Sequence, residues 1–155
     1  MVMRFLKLGW FAAFLALLGC GGPVPDGVFL TLNVSTGGVI VATSINGKHS
    51  EFMSSEGGWM TGGGPINNMV REGDNEATFV LNAAETDDGE EVDRRFLATL
   101  EISMKGEMTD TLEPGERTIF SRELSEAEIA ALNAGETVTI TEKFTVDKAA
   151  LEAMK

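Results

Sequence analysis

The sequence predicts an all-β fold: an antiparallel β-sandwich of about seven strands with one short helix. Apolar and polar residues alternate with period two over several segments of six to ten residues. Turn-forming pairs punctuate those segments. One stretch alone carries the start and stop signals of a helix.

Val28, Leu30, Leu32 and Val34 alternate with Phe29, Thr31 and Asn33, which places a strand at 28–34. Val39, Val41, Thr43 and Ile45 repeat the pattern and run into Asn46-Gly47. That pair suits a type I′ hairpin, because both central residues must take positive φ. Residues 48–53 are therefore the returning strand. Ala77–Ala83 reads as the next strand, and Arg95–Met104 puts Phe96, Ala98, Leu100, Ile102 and Met104 on one face. A strand follows at 116–123. In 137–146, Val138, Ile140, Phe144 and Val146 face one way, with Glu142 as the exception. Between the last two strands, Ser125 and Glu128 form a capping box, Leu124 and Ile129 are placed for a hydrophobic staple, and Gly135 is the stop. This helix is expected to cross between the sheets. The number and spacing of the strands suit an immunoglobulin-like or jelly-roll-like sandwich.

The chain has 155 residues, about one domain. Its 24 acidic and 12 basic residues give a formal charge of −12, which argues against a nucleic-acid partner. One Cys and one His cannot build a Cys/His zinc site or an intrachain disulfide. His49 would have to serve any His-dependent chemistry. On a strand it points away from its neighbour Ser50, so no nucleophile–base pair is expected there. Nothing local marks a carboxylate pair for glycoside hydrolysis, although two of the acids could converge in space. The expectation is a protein that is not an enzyme.

The N-terminus is the most informative segment. Met1–Lys7 contains Arg4 and Lys7 and no acid, and Leu8–Gly19 is uncharged and almost wholly apolar. That apolar run has signal-peptide length, short of the roughly 20 residues a spanning helix needs. Leu17-Leu18-Gly19-Cys20 then resembles the lipobox of bacterial lipoproteins, and Cys20 is the only cysteine. The resemblance covers the first 20 residues. It implies cleavage between Gly19 and Cys20, a covalent lipid on Cys20, export, and attachment to the cell envelope. Gly21, in place of the Asp that tends to retain such proteins at the inner membrane, is compatible with an outer membrane. Loss of residues 1–19 removes Arg4 and Lys7 and takes the charge from −12 to −14. The resulting division is a signal peptide at 1–19, lipidated Cys and short tether at 20–27, a sandwich at 28–147, and a C-terminal tail or short helix at 148–155.

Two segments are candidates for binding. Residues 54–76 would form a loop of 23 residues, and loops that long are often functional. It holds a Gly-rich stretch around Trp59, the only Trp left after cleavage. Trp59 could stack on a sugar or dock into a protein partner; alternatively it plugs one end of the sandwich or lies on a short edge strand. The second segment, 85–93, holds six carboxylates in nine residues. Such crowding suits Ca²⁺, with Asp87, Asp88, Glu90, Glu91 and Asp93 as ligands. Its spacing fits no EF-hand, and a solvated hairpin tip with Arg94 and Arg95 offsetting the charge is the simpler reading, so no cofactor is expected. The function these observations imply is a membrane-anchored, non-catalytic binding or interaction module. Its partner would be an envelope protein or, through Trp59, a glycan. A small hydrolase with paired carboxylates is the remaining alternative.

Overall fold

The computed structural model describes residues 22–85, 92–107 and 115–155. The lipobox residues Leu17, Leu18, Gly19 and Cys20, and four of the acidic candidates, Asp87, Asp88, Glu90 and Glu91, lie outside the described residues.

The described residues form an all-β sandwich of two four-stranded antiparallel sheets. In chain order the elements are β1 (Val28–Gly37), β2 (Val39–Ile45), β3 (Lys48–Ser55), β4 (Trp59–Pro65), β5 (Gly73–Ala83), β6 (Arg95–Met104), β7 (Thr118–Glu123), α1 (Glu126–Asn133), β8 (Val138–Val146) and α2 (Lys148–Glu152). The first sheet has the order β4-β1-β6-β7 and the second β3-β2-β5-β8. Only β2–β3 and β6–β7 are sequential neighbours within a sheet; every other connection passes between sheets. Among the described residues, eight strands in a four-plus-four arrangement match the jelly-roll count, not the seven of a constant-type immunoglobulin sandwich.

The alternating residues do what their period requires. Leu30, Leu32 and Val34 of β1, Val39, Val41 and Ile45 of β2, and Ala77, Phe79 and Leu81 of β5 meet between the sheets, each at most 2% exposed. Phe79 of the second sheet meets Phe96 of the first edge to face, with ring centroids 5.1 Å apart. Asn46 and Gly47 take φ of 50° and 76°, the positive values a type I′ turn needs.

The helix is built as its sequence signals. The Ser125 side chain accepts from the Glu128 amide, and the Glu128 carboxylate accepts from the Ser125 amide at 2.7 Å. At the other end Gly135 takes φ 80°. The Gly135 amide then donates to Leu132 O and the Glu136 amide to Ala131 O, closing the helix in a Schellman motif. α1 carries the chain from β7 in the first sheet to β8 in the second. Glu142, the acid on the apolar face of β8, is explained by Arg122 of β7. The Arg122 guanidinium pairs with Glu142 at 3.3 Å and also with Glu128, tying β7, α1 and β8 together.

Two expectations are corrected. Residues 54–76 are not one irregular loop, because they contain β4 and the start of β5. β4 pairs along β1 from Thr31↔Pro65 to Gly37↔Trp59, and its glycines fit between close backbones. A β-carbon at Gly63 would stand 2.8 Å from Leu32 O, and one at Gly62 would stand 2.9 Å from Phe52 O of β3. Nor do the two strands that flank the acidic segment pair as a hairpin. β5 pairs with β2 and β8, whereas β6 pairs with β1 and β7, so residues 84–94 join the two sheets.

Candidate functional site

Strand register brings three residues of the first sheet into one row: Trp59 on β4, Gly37 on β1 and Arg95 on β6. Their side chains share the outer face of that sheet. Gly37 has none, and the indole occupies the space. A β-carbon at Gly37 would stand 2.9 Å from Trp59 Cζ3 and 3.3 Å from Cη2. The Arg95 guanidinium carbon lies 5.5 Å from the ring centroid, within cation–π range. Asp93 in turn holds Arg95, with 3.1 Å from Nε to the carboxylate. Trp59 thus lies on an edge strand, one of the placements its sequence allows, and it is held there while 66% exposed.

Around this row lies a cavity of about 800 Å³. Its walls come from the ends of β1, β4, β6 and β7 and from Ile129 of α1. Ser35 and Thr61 supply hydroxyls, Asp93 and Glu123 carboxylates, and Arg94 and Arg95 guanidinium groups. The Ser35 and Thr61 hydroxyls lie 3.3 Å apart across the β1–β4 pair. Arg94 is committed to structure: its Nε donates to Asn133 Oδ1 at 2.6 Å and its Nη1 to Gly38 O, fastening the end of α1 to the β1–β2 turn. Thr36 is 5% exposed, and its Oγ1 has no hydrogen-bond partner among the described residues.

The remaining candidates separate from this site. His49 is exposed on β3 while Ser50, beside it, is buried, so the two stand on opposite faces. Among the described residues no three His, Cys, Asp or Glu side chains are grouped to hold a metal ion, and Asp93, the described member of the acidic set, is paired with Arg95. Among the described residues no helix is long and apolar enough to cross a membrane. Glu128 of α1 has a displaced pKa. Burial alone would raise it, the largest single influence, but the Ser125 amide and hydroxyl together with Arg122 outweigh burial and hold it below the ordinary carboxylate value.

Sequence reasoning missed Arg95 as the partner of Trp59. The two are 36 positions apart, and only the β4-β1-β6 register reveals their common row. Its available signal was Asp93-x-Arg95, an acid two positions before a base that opens a strand.

No family model matches the chain, and no curated protein or solved structure is found to be similar to it.

Proposed function

We propose that this chain is an exported, lipid-anchored, non-catalytic binding module of the bacterial cell envelope, held at Cys20 and displaying the Trp59 end of its first sheet away from the bilayer. The observation that carries the orientation is the path of the N-terminal segment. Val24 is 8% exposed and belongs to the core. The Val28 amide donates to Pro25 O at 3.1 Å, and the Lys105 amide donates to Gly27 O at 2.8 Å. Gly22 and Pro23 lie beside Val70, Arg71 and Lys148 at the end of the sandwich where β1 begins. Residues from Val24 onward are therefore part of the domain, and free reach is confined to the few residues after Cys20, at most about 3.6 Å each. The Trp59 row lies at the opposite end of β1. Ten residues of strand at roughly 3.3 Å each separate the two ends by about 30 Å.

A lipid-modified N-terminus explains why a chain with no spanning helix among its described residues would stay in a membrane fraction. Stable anchoring takes more than one acyl chain, as the lipoprotein family would supply. Charge acts in the same direction: a domain of −14 is repelled by an anionic leaflet, so the tether holds it while repulsion keeps its body off the surface. The test is fractionation of cells carrying Cys20→Ala. The native protein should partition with detergent and the variant should not; equal partitioning of both would overturn the anchor. Crosslinking in intact cells, with the same variant as control, then tests whether an envelope protein is the partner. A captured partner that is released by salt would support it, because exposed charge pairing is screened over about 8 Å at physiological ionic strength.

A further inference from the structure

We propose that the cavity beside Trp59 is a saccharide site, taking a neutral pyranose with equatorial substituents whose C–H face stacks on the open surface of the indole. The proposal rests on the binding-module reading above and names the ligand of that module.

Three observations point to this chemistry. First, Trp59 is 66% exposed yet fixed, wedged over Gly37 and beside the Arg95 guanidinium. An aromatic of that size gains most from burial, so its fixed exposure on a rigid strand leaves a preformed apolar platform. Second, the surrounding walls carry hydroxyls, carboxylates and a guanidinium together: Ser35, Thr61, Asp93, Glu123 and Arg95. A sugar presents vicinal hydroxyls that both donate and accept, which this mixture satisfies. An apolar peptide side chain would displace water from those groups without replacing its hydrogen bonds. Third, Asp93 and Glu123 offset Arg94 and Arg95, so the cavity is locally neutral within a chain of charge −12. That balance gives a polyanionic glycan no advantage. The volume of about 800 Å³ is in the range of small-ligand sites.

The experiment uses the mature lipoprotein in a detergent without a sugar headgroup, since a maltoside would compete. Chitotetraose and cellotetraose serve as neutral probes and tetragalacturonate as the anionic one. Binding is read by calorimetry and by Trp59 emission, and the probes are recovered and weighed by mass spectrometry. The expected result is saturable binding of a neutral probe, returned intact. Trp59→Ala should weaken it about tenfold or more, which is about 1.4 kcal/mol, and Trp59→Phe should weaken it less. The melting curves of both variants show whether the fold is kept; Arg95→Gln, which leaves the indole in place, carries the same test if they fail. No saturable binding of either neutral probe, preference for tetragalacturonate, or binding indifferent to Trp59 and Arg95 would overturn the site. Shortened probe would instead overturn the non-catalytic reading while leaving the site standing, so the two failures are distinguishable.

Discussion

The Trp59 indole rests on the bare backbone of Gly37, so close that a single added β-carbon would stand 2.9 Å from Cζ3. The glycine is therefore half of the platform. Gly37→Ala should lift the ring and break its contact with Arg95. We expect Trp59 emission to shift to the red and its anisotropy to fall, with little change in the unfolding midpoint, because the ring is already mostly exposed. Unchanged emission would mean that the ring is not seated on Gly37.

The capping box gives a pH-dependent prediction. Glu128 has its pKa depressed below the ordinary 4.5, so its stabilising contribution is present above that value and is lost as pH falls through the folded-state value. Ser125→Ala should cost about 1 kcal/mol at pH 7. Glu128→Gln keeps an acceptor for the Ser125 amide but removes the charge that meets Arg122. The stability gap between Glu128→Gln and the native chain should therefore close as the solution is acidified. Denaturant melts from pH 7 to pH 3 check this, and a gap that widens on acidification would contradict it.

Asn75 should be among the least replaceable polar residues. It is 3% exposed and makes four bonds through its side chain. Oδ1 accepts from the Arg71 amide and from Asn46 Nδ2, each at 2.8 Å. Nδ2 donates to Arg71 O at 2.8 Å and to Gly73 O at 2.7 Å. Asn46 carries the link onward to Met69 O and to the Glu76 amide. Asn75→Ala removes four part-buried hydrogen bonds at once and should cost about 2–3 kcal/mol in a denaturant melt. A loss under about 0.5 kcal/mol, the size of an ordinary surface change, would show that water replaces those bonds freely.

The orientation has a spectroscopic consequence. Trp59 is the only Trp after residue 19, so in vesicles its emission reports one position. Brominated acyl chains quench only near the bilayer. With the indole about 30 Å from the tethered end, the mature lipoprotein in brominated vesicles should fluoresce as brightly as in ordinary ones. Strong quenching would place Trp59 at the membrane and reverse the proposed display.

Where burial imposes a period, the fold could be read from the chain. β1, β2 and β8 alternate because one face of each meets the opposite sheet, and Asn46-Gly47 and Ser125-x-x-Glu128 are local signals that need no tertiary context. β4 escaped because its burial runs exposed to intermediate throughout, so no residue from Trp59 to Pro65 has to be apolar. Its glycines are dictated by the backbones of Leu32 and Phe52, which are distant in sequence. The connection at 84–94 misled for a related reason: acids and Asp-Gly suit any exposed turn, whether or not its flanking strands pair. Of the candidate site, Trp59 was visible by composition alone. Gly37 and Arg95 were not, because what joins them to Trp59 is a row across three strands. Asn67 illustrates the same limit, since its side chain pairs with the Leu30 amide at 2.9 Å and Val28 O at 2.8 Å, extending the β4 side of β1 where the strand itself has ended.

The anchor is the claim on which export, orientation and the exposed display of Trp59 all depend. Intact-mass measurement of the protein from the membrane fraction tests it most directly. The account expects a chain that begins at Cys20 and carries a diacylglyceryl group and an amide-linked acyl chain. A chain that retains residues 1–19, begins elsewhere, or bears an unmodified Cys20 would contradict it.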